Sequence, residues 1–242
     1  MSGHSKWHSI KHKKGAADAK RGKEFTKLGN MIAIAAREGA DPETNFKLRL
    51  AIDKAKGANV PNANIEKAVL RGSGQLEGEQ LQEIVYEGYG PGGIAVIVEA
   101  TTDNKNRAYS DIRAAFSKNG GNVAESGAVA YQFDRRGIIT IDSPDVETLT
   151  LAAIDAGALD IAEDEDTVTI YTDPKELAQV TDKLAAVYEI ASSELGFVPQ
   201  NVIMIEDSST AGKVIRLMNA LDELDDVSNT FSNFDIAEGV EV

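Results

Sequence analysis

The 242 residues contain no cysteine. Disulfides, thiolate nucleophiles and Cys-ligated zinc are thereby excluded. Histidine is confined to the first twelve residues, at His4, His8 and His12, so the rest of the chain cannot build a Ser-His-Asp device. Nor is there any G-x-S-x-G, H-E-x-x-H or G-x-x-x-x-G-K-[ST] sequence, the signatures of an acyl-transfer elbow, a zinc protease and a phosphate-cradling loop. No run of eighteen apolar residues occurs, so no stretch reads as a membrane-spanning helix. The opening MSGHSKWHSIKHKKG lacks the apolar centre of a signal peptide. These absences point to a cytoplasmic protein that is not an enzyme and uses no cofactor.

Charge of one sign is also missing, but only locally. The net charge of -14 hides an asymmetry. Residues 1–71 carry 15 Lys/Arg against 7 Asp/Glu, and the remainder carries 10 against 32. A basic module on an acidic body suggests a polyanionic partner met at one end, because the body repels the same partner.

Residues 1–23 are rich in Lys, Gly, Ser and His and predict an extended or mobile arm. Helical periodicity starts near Glu24, with Phe25, Leu28, Ile32 and Ala35 on one stripe and Gly39 ending it. Asp41-Pro42 reads as N-cap and first position of a second helix. That helix carries Phe46 and Leu50 on one stripe and Leu48, Ile52 and Ala55 on another. A third helix spans 62–72. The Gly-rich RGSGQLEGE then marks a boundary.

Beyond it the pattern is mixed. Strands are predicted at 84–90 and 94–100 around a Pro-Gly turn, a helix at 106–118 and a strand at 128–133. Then come a strand GIITI, a helix over 146–156, a hairpin starting at Leu159 and Thr167, a helix over 175–195 and a strand NVIMIE. This β-α-β-β-α-β order is ferredoxin-like. A helix at 211–224 and a strand at 227–234 are left over and cannot fold alone, so they are assigned to the interrupted segment before the ferredoxin-like unit. The expected fold class is α+β. It comprises a three-helix N-terminal domain (1–79), a discontinuous middle α+β domain (80–134 and 207–242) and an inserted ferredoxin-like domain (135–206).

Five motifs carry candidate chemistry. In the arm, Lys6, Lys11, Lys13, Lys14, Lys20, Arg21, Lys23 and Lys27 surround Trp7. Cations at this density neutralise phosphates and release counterions, and an indole stacks on a base. His8 and His12 add polar contacts, and Arg37, Lys54 and Lys56 extend the basic set over the helices. The spacing of His4, His8 and His12 would suit a metal on a helix, but the surrounding lysines repel a dication, so no metal site is assigned. GYGPGG matches the glycines of a dinucleotide fingerprint, but a strand-like run follows where a helix is required, so it reads as a hairpin turn. TTDNKNR stands at a strand-to-helix junction, where an Asp or Thr cap is the simpler reading. Asn104, Lys105 and Arg107 form a candidate anion site there. The acidic stretches near 163–166 and 222–226 lack metal-loop spacing and read as solvated turns.

The sequences MSGHSKWHSIKHKKGAADAKRGKEFTKL, LRLAIDKAKGANVP, EGYGPGG, TTDNKNR, GGNVAESGAVAYQF and LDELDDVSNTFSNFDI resemble the YebC/PmpR family from end to end. Departures are small: Ser9 replaces a common Asn, Ala108 a common Thr, and the loop near 38–41 is shorter. The resemblance implies a helical N-terminal domain followed by two α+β domains, the last inserted into the middle one. It implies a cytoplasmic DNA-binding regulator of transcription. Some relatives, a mitochondrial translational activator among them, act at the ribosome instead, so a translation factor on ribosomal RNA or tRNA is the alternative. An enzyme or ligand-sensing switch in the α+β domains is a remote third reading.

Overall fold

A computed structural model describes residues 18–77, 80–142, 145–164 and 167–240. The expected mobile arm lies mostly outside them. The first helix, α1 (Asp18–Ala35), includes six residues before Glu24, where its apolar stripe begins. Asp18-Ala19-Lys20-Arg21-Gly22-Lys23 carries no large apolar residue, so periodicity could not show those turns. A single 3-10 turn, Ala36–Glu38, follows, and Gly39 stops it with φ at 146°. The next helices are α2 (Phe46–Gly57) and α3 (Asn62–Gly72).

The start of α2 differs from expectation. Asp41 closes a separate turn, its carboxylate accepting the Glu43 N–H at 3.0 Å. The helix is capped instead by buried Asn45, which accepts the Leu48 N–H at 3.0 Å. Asn45 also donates to the carbonyls of Ala35 and Gly39, each at 2.8 Å. One amide thus ends α1 and starts α2, satisfying orphan groups at both helix termini. Leu28, Ile32, Ala35, Leu48, Ala51, Ala55, Ile65 and Ala68 form the bundle core.

The middle unit is a sheet with strand order β3-β1-β2-β9, in which β1 is Gln82–Tyr89, β2 Ala95–Thr102, β3 Asn122–Ala124 and β9 Val227–Ser232. The hairpin β1–β2 turns through Pro91–Gly93, as the glycine pattern predicts. Helices α4 (Lys105–Lys118) and α7 (Ser208–Asp222) cover one face, where Ile94, Val96 and Val98 pack against Ile112, Phe116, Val214 and Leu217. Because β9 and α7 follow the second unit in sequence, the middle unit is discontinuous.

The second sheet has the order β5-β6-β4-β7, every neighbour antiparallel, with β4 at Phe133–Asp142, β5 at Asp160–Asp164, β6 at Thr167–Thr172 and β7 at Ser192–Pro199. Helices α5 (Val146–Ala156) and α6 (Leu177–Ala185) supply Leu149, Ala153, Leu177, Val180 and Leu184 to its core. The element order and sheet order are those of a ferredoxin-like unit, and the fold is α+β as expected.

Three sequence expectations fail here. The predicted helix over 175–195 stops at Ala185, and its last residues are the strand β7. NVIMIE is not the closing strand of this sheet. Ile203–Ile205 forms a separate short strand, β8, parallel to β10 (Phe234–Ile236). The predicted strand at 128–133 is also absent; its last residue opens β4, and Ala130–Gln132 is a 3-10 turn. The buried Glu87 carboxylate explains it. It accepts the N–H groups of Gly127, Val129 and Ala130 at 2.6, 2.7 and 2.8 Å, which binds them to a side chain instead of a neighbouring strand.

Candidate nucleic-acid interface

The helical unit has two apolar faces because α2 carries two stripes. Leu48, Ala51 and Ala55 pack into the bundle. Phe46 and Leu50 instead pack on the core of the ferredoxin-like unit. Helix α1 lies against β2 and β9. The basic module therefore sits on the acidic body, and the cations flanking these contacts meet carboxylates.

Three of the predicted binding residues are placed this way. Lys23 pairs with Asp225 at 3.1 Å. Lys27 donates through Nζ to the carbonyl of Asp222. Lys54 donates to Glu194 at 2.8 Å and to Asn229 at 3.3 Å. Partial burial works against the Lys54 charge, but Glu194, with Glu99 and Asp222 beyond it, outweighs burial and raises the ammonium pKa above its ordinary value. Two further cations that sequence reasoning did not single out do the same. Arg49 pairs with Asp182 at 2.9 Å while stacking over Phe46, and Lys47 pairs with Glu83 at 3.0 Å. The double stripe on α2 was the available signal for them: a helix with two apolar faces has two packing partners, and its flanking cations meet the second.

The other predicted positions fall into three groups. Arg37 and Lys56 are exposed and enter no ion pair among the described residues, and Lys67 on α3 is the same. Lys20 and Arg21 lie in the first turns of α1. Lys6, Trp7, His8, Lys11, His12, Lys13 and Lys14 lie outside the described residues.

The structure brings Asn104, Lys105 and Arg107 together at the start of α4, but supplies its own anions there. The cap is Asn104, not the expected Asp or Thr, and its side-chain oxygen accepts the N–H groups of Asn106 and Arg107, each at 3.1 Å. Arg107 grips Asp226 through two donors at 3.0 and 2.9 Å and reaches Asp103 at 2.6 Å. The hydrogen bond to Asp226, then that to Asp103, raises the guanidinium pKa further above its already high value. Lys105 is exposed. An external phosphate would compete with two carboxylates for Arg107.

Comparison with known proteins places this geometry in a family. Residues 5–75 match the model of the TACO1/YebC protein N-terminal domain, and residues 81–234 match that of the TACO1/YebC second and third domain. The chain belongs to the TACO1/YebC family. Its similarity to other members runs nearly end to end. A protein of Halothermothrix orenii named probable transcriptional regulatory protein is 49% identical, over 99% of this chain and 97% of that one. One of Trichlorobacter lovleyi with the same name is 49% identical, over 98% and 97%. The crystal structure of a conserved hypothetical protein from Aquifex aeolicus superimposes with a TM-score of 0.89 at 48% identity, covering 98% of this chain and 99% of that one. As a TACO1/YebC protein the chain shares the three-part α+β architecture. Among its described residues no helix is long and apolar enough to cross a membrane, and no three His, Asp or Glu side chains converge as metal ligands.

Proposed function

We propose that this protein regulates transcription in the cytoplasm by binding DNA, through the basic N-terminal arm and the outward side of the helical unit, and without catalysing a reaction. The observation that carries this reading is the charge division. The first 71 residues hold 15 of the 25 Lys and Arg residues, and only 7 of the 39 Asp and Glu residues. The relatives named probable transcriptional regulatory proteins support it. Binding of this kind is dominated by phosphate contacts, with little base reading.

The test is replacement of Lys11, Lys13 and Lys14 by Ala, with affinity measured on several unrelated duplexes across a salt series. Affinity is expected to fall on all sequences alike, and the slope of log K against log salt to lose about 0.9 per phosphate contact removed. Undiminished duplex binding would refute the mechanism.

One structural observation favours a second reading, a factor bound to ribosomal RNA or tRNA. Helix α2 is packed on both sides, and the cations of α1 at Lys23 and Lys27 face the body. Among the described residues, the paired cations of α1 and α2 are thus turned toward the body and not toward a major groove, where operator recognition would need them. A basic arm with one aromatic suits folded RNA equally well. Crosslinking in cells separates the two: ribosomal or transfer RNA on the arm supports the second, chromosomal DNA the first.

A further inference from the structure

We propose that the side of the helical unit facing the acidic body is a second, covered polyanion-binding face, and that the body's carboxylates occupy it as stand-ins for phosphate. This rests on the nucleic-acid reading above and adds to it a state that the closed structure does not display.

Four of the five cations that meet the body make up the face: Lys23 and Lys27, one turn apart on α1, and Arg49 and Lys54 on α2, on either side of Leu50; Lys47, paired with Glu83 of β1, is the fifth. Each of the four contacts an oxygen of the body, namely Asp225, the Asp222 carbonyl, Asp182 and Glu194. Lys27 and Lys54 share a neighbour, because Asp222, whose carbonyl receives Lys27, also raises the Lys54 pKa through its charge. The partners come from three separate places, the end of α7 with the turn after it, helix α6 and strand β7. A single stabilising pair would explain one such contact. Four cations on one side, met by acceptors from three separate elements, instead describe a basic surface lying in an acidic cradle.

The pairs are not deeply buried. Side-chain exposure is 58% and 65% at Lys23 and Asp225, and 39% and 32% at Lys54 and Glu194. Exposed pairs hold weakly and are screened by salt. A nucleic-acid backbone, with a charge at every step, exchanges favourably with such partners. By linkage, a polyanion that binds only the uncovered face shifts the protein toward the open arrangement. The acidic body then sets how much nucleic acid is needed before the second face engages, and the arm makes the first contact.

The experiment neutralises the cradle and leaves every cation in place: Asp182→Asn, Glu194→Gln and Asp225→Asn together in the full chain. A control of equal charge change carries Glu147→Gln, Asp155→Asn and Glu189→Gln, exposed carboxylates of the ferredoxin-like unit that hold none of the four cations. Affinity for a fluorescent DNA duplex and for a single-stranded RNA is measured from low to high salt. The cradle variant is expected to bind roughly tenfold more tightly near 0.1 M salt and to steepen the salt slope by about 2 to 3 units, the signature of newly engaged phosphates, with the control close to wild type. Equal affinity and slope in the cradle variant and wild type would overturn the proposal. So would an equal gain in the control, which would show only a change in net charge. If the wild type binds neither nucleic acid, the functional reading fails, and heparin-agarose decides the covered face by itself. Later elution of the cradle variant than of the control supports the face, and co-elution refutes it.

Discussion

Glu87 and Val129 are joined across 42 residues of sequence: the carboxylate of the first accepts the backbone N–H of the second at 2.7 Å. Gly127 and Ala130 donate to the same carboxylate. Glu87 is 5% exposed, so its charge is tolerated only because three N–H groups converge on it. Replacement by Gln puts an NH2 group where a second acceptor is needed. Glu87→Gln is expected to cost about 3 kcal/mol of stability, from lost charge-assisted bonds and orphaned N–H groups. Urea unfolding measures it, and a loss below about 1 kcal/mol would mean that the loop is held by packing.

The same site sets a pH dependence. Burial alone would push the Glu87 carboxyl up, but the N–H groups of Gly127, Val129 and Ala130 outweigh burial and hold its pKa below the ordinary value. A group whose folded pKa is depressed adds stability above its unfolded pKa, and that stability is lost as pH falls through the folded pKa. The unfolded value is about 4.3. The stability difference between wild type and Glu87→Gln is therefore expected to be constant from neutral pH down to about 5 and to shrink below about 4. A difference that shrinks between pH 8 and 6 would point to another group.

The helical bundle depends on a close approach at Gly72. A methyl group there would lie 2.1 Å from the carbonyl oxygen of Ala33, a backbone atom that cannot swing aside. Gly72→Ala is expected to push α3 from α1 and to destabilise the protein by roughly 3 kcal/mol, despite the better helix propensity of Ala. Hydrogen exchange should localise the loss to the three helices. Exchange unchanged in α1 and α3 would show that the crossing relaxes without cost.

Arg107 lies at a candidate anion site, yet Asp226 and Asp103 already hold it. Arg107→Met is expected to change nucleic-acid affinity by less than about twofold, and to cost roughly 1 kcal/mol of stability, since the guanidinium is half exposed and its pairs are screened. A large loss of affinity in a variant of unchanged stability would restore the site to the interface.

The sequence was informative wherever one physical signal dominated. The single stripe of α1, the glycine stops and the Pro-Gly hairpin correctly located their elements. The interruption of the middle unit could be inferred because α7 and β9 had no other core to join. Misreadings came from long-range pairing. The first half of SSELGFVP, up to Leu195, reads as the end of a helix, and only pairing with β4 reveals a strand. The loop after β3 was read as a strand because AVAYQF alternates, while the residue that prevents it, Glu87, lies 40 residues earlier. For the interface, the residue types were visible and their direction was not. Nothing local to Lys54 announces Glu194, which is 140 residues away.

How firmly α2 is seated depends more on apolar area than on charge. Phe46 and Leu50 pack against the ferredoxin-like core, whereas the Lys54–Glu194 and Arg49–Asp182 pairs are partly solvated. Screened pairs contribute about 0 to 1 kcal/mol each, and truncating a partly buried Leu costs about 2 kcal/mol. Leu50→Ala is accordingly expected to loosen the helical unit more than Lys54→Met does, seen as faster hydrogen exchange along α2. It should also raise retention on heparin, because it uncovers Lys23, Lys27, Arg49 and Lys54 without altering any charge. Lys54→Met should lower retention. If Leu50→Ala speeds exchange along α2 and leaves heparin elution unchanged, the uncovered cations do not form a polyanion-binding face, and the carboxylates of the body are structural partners alone.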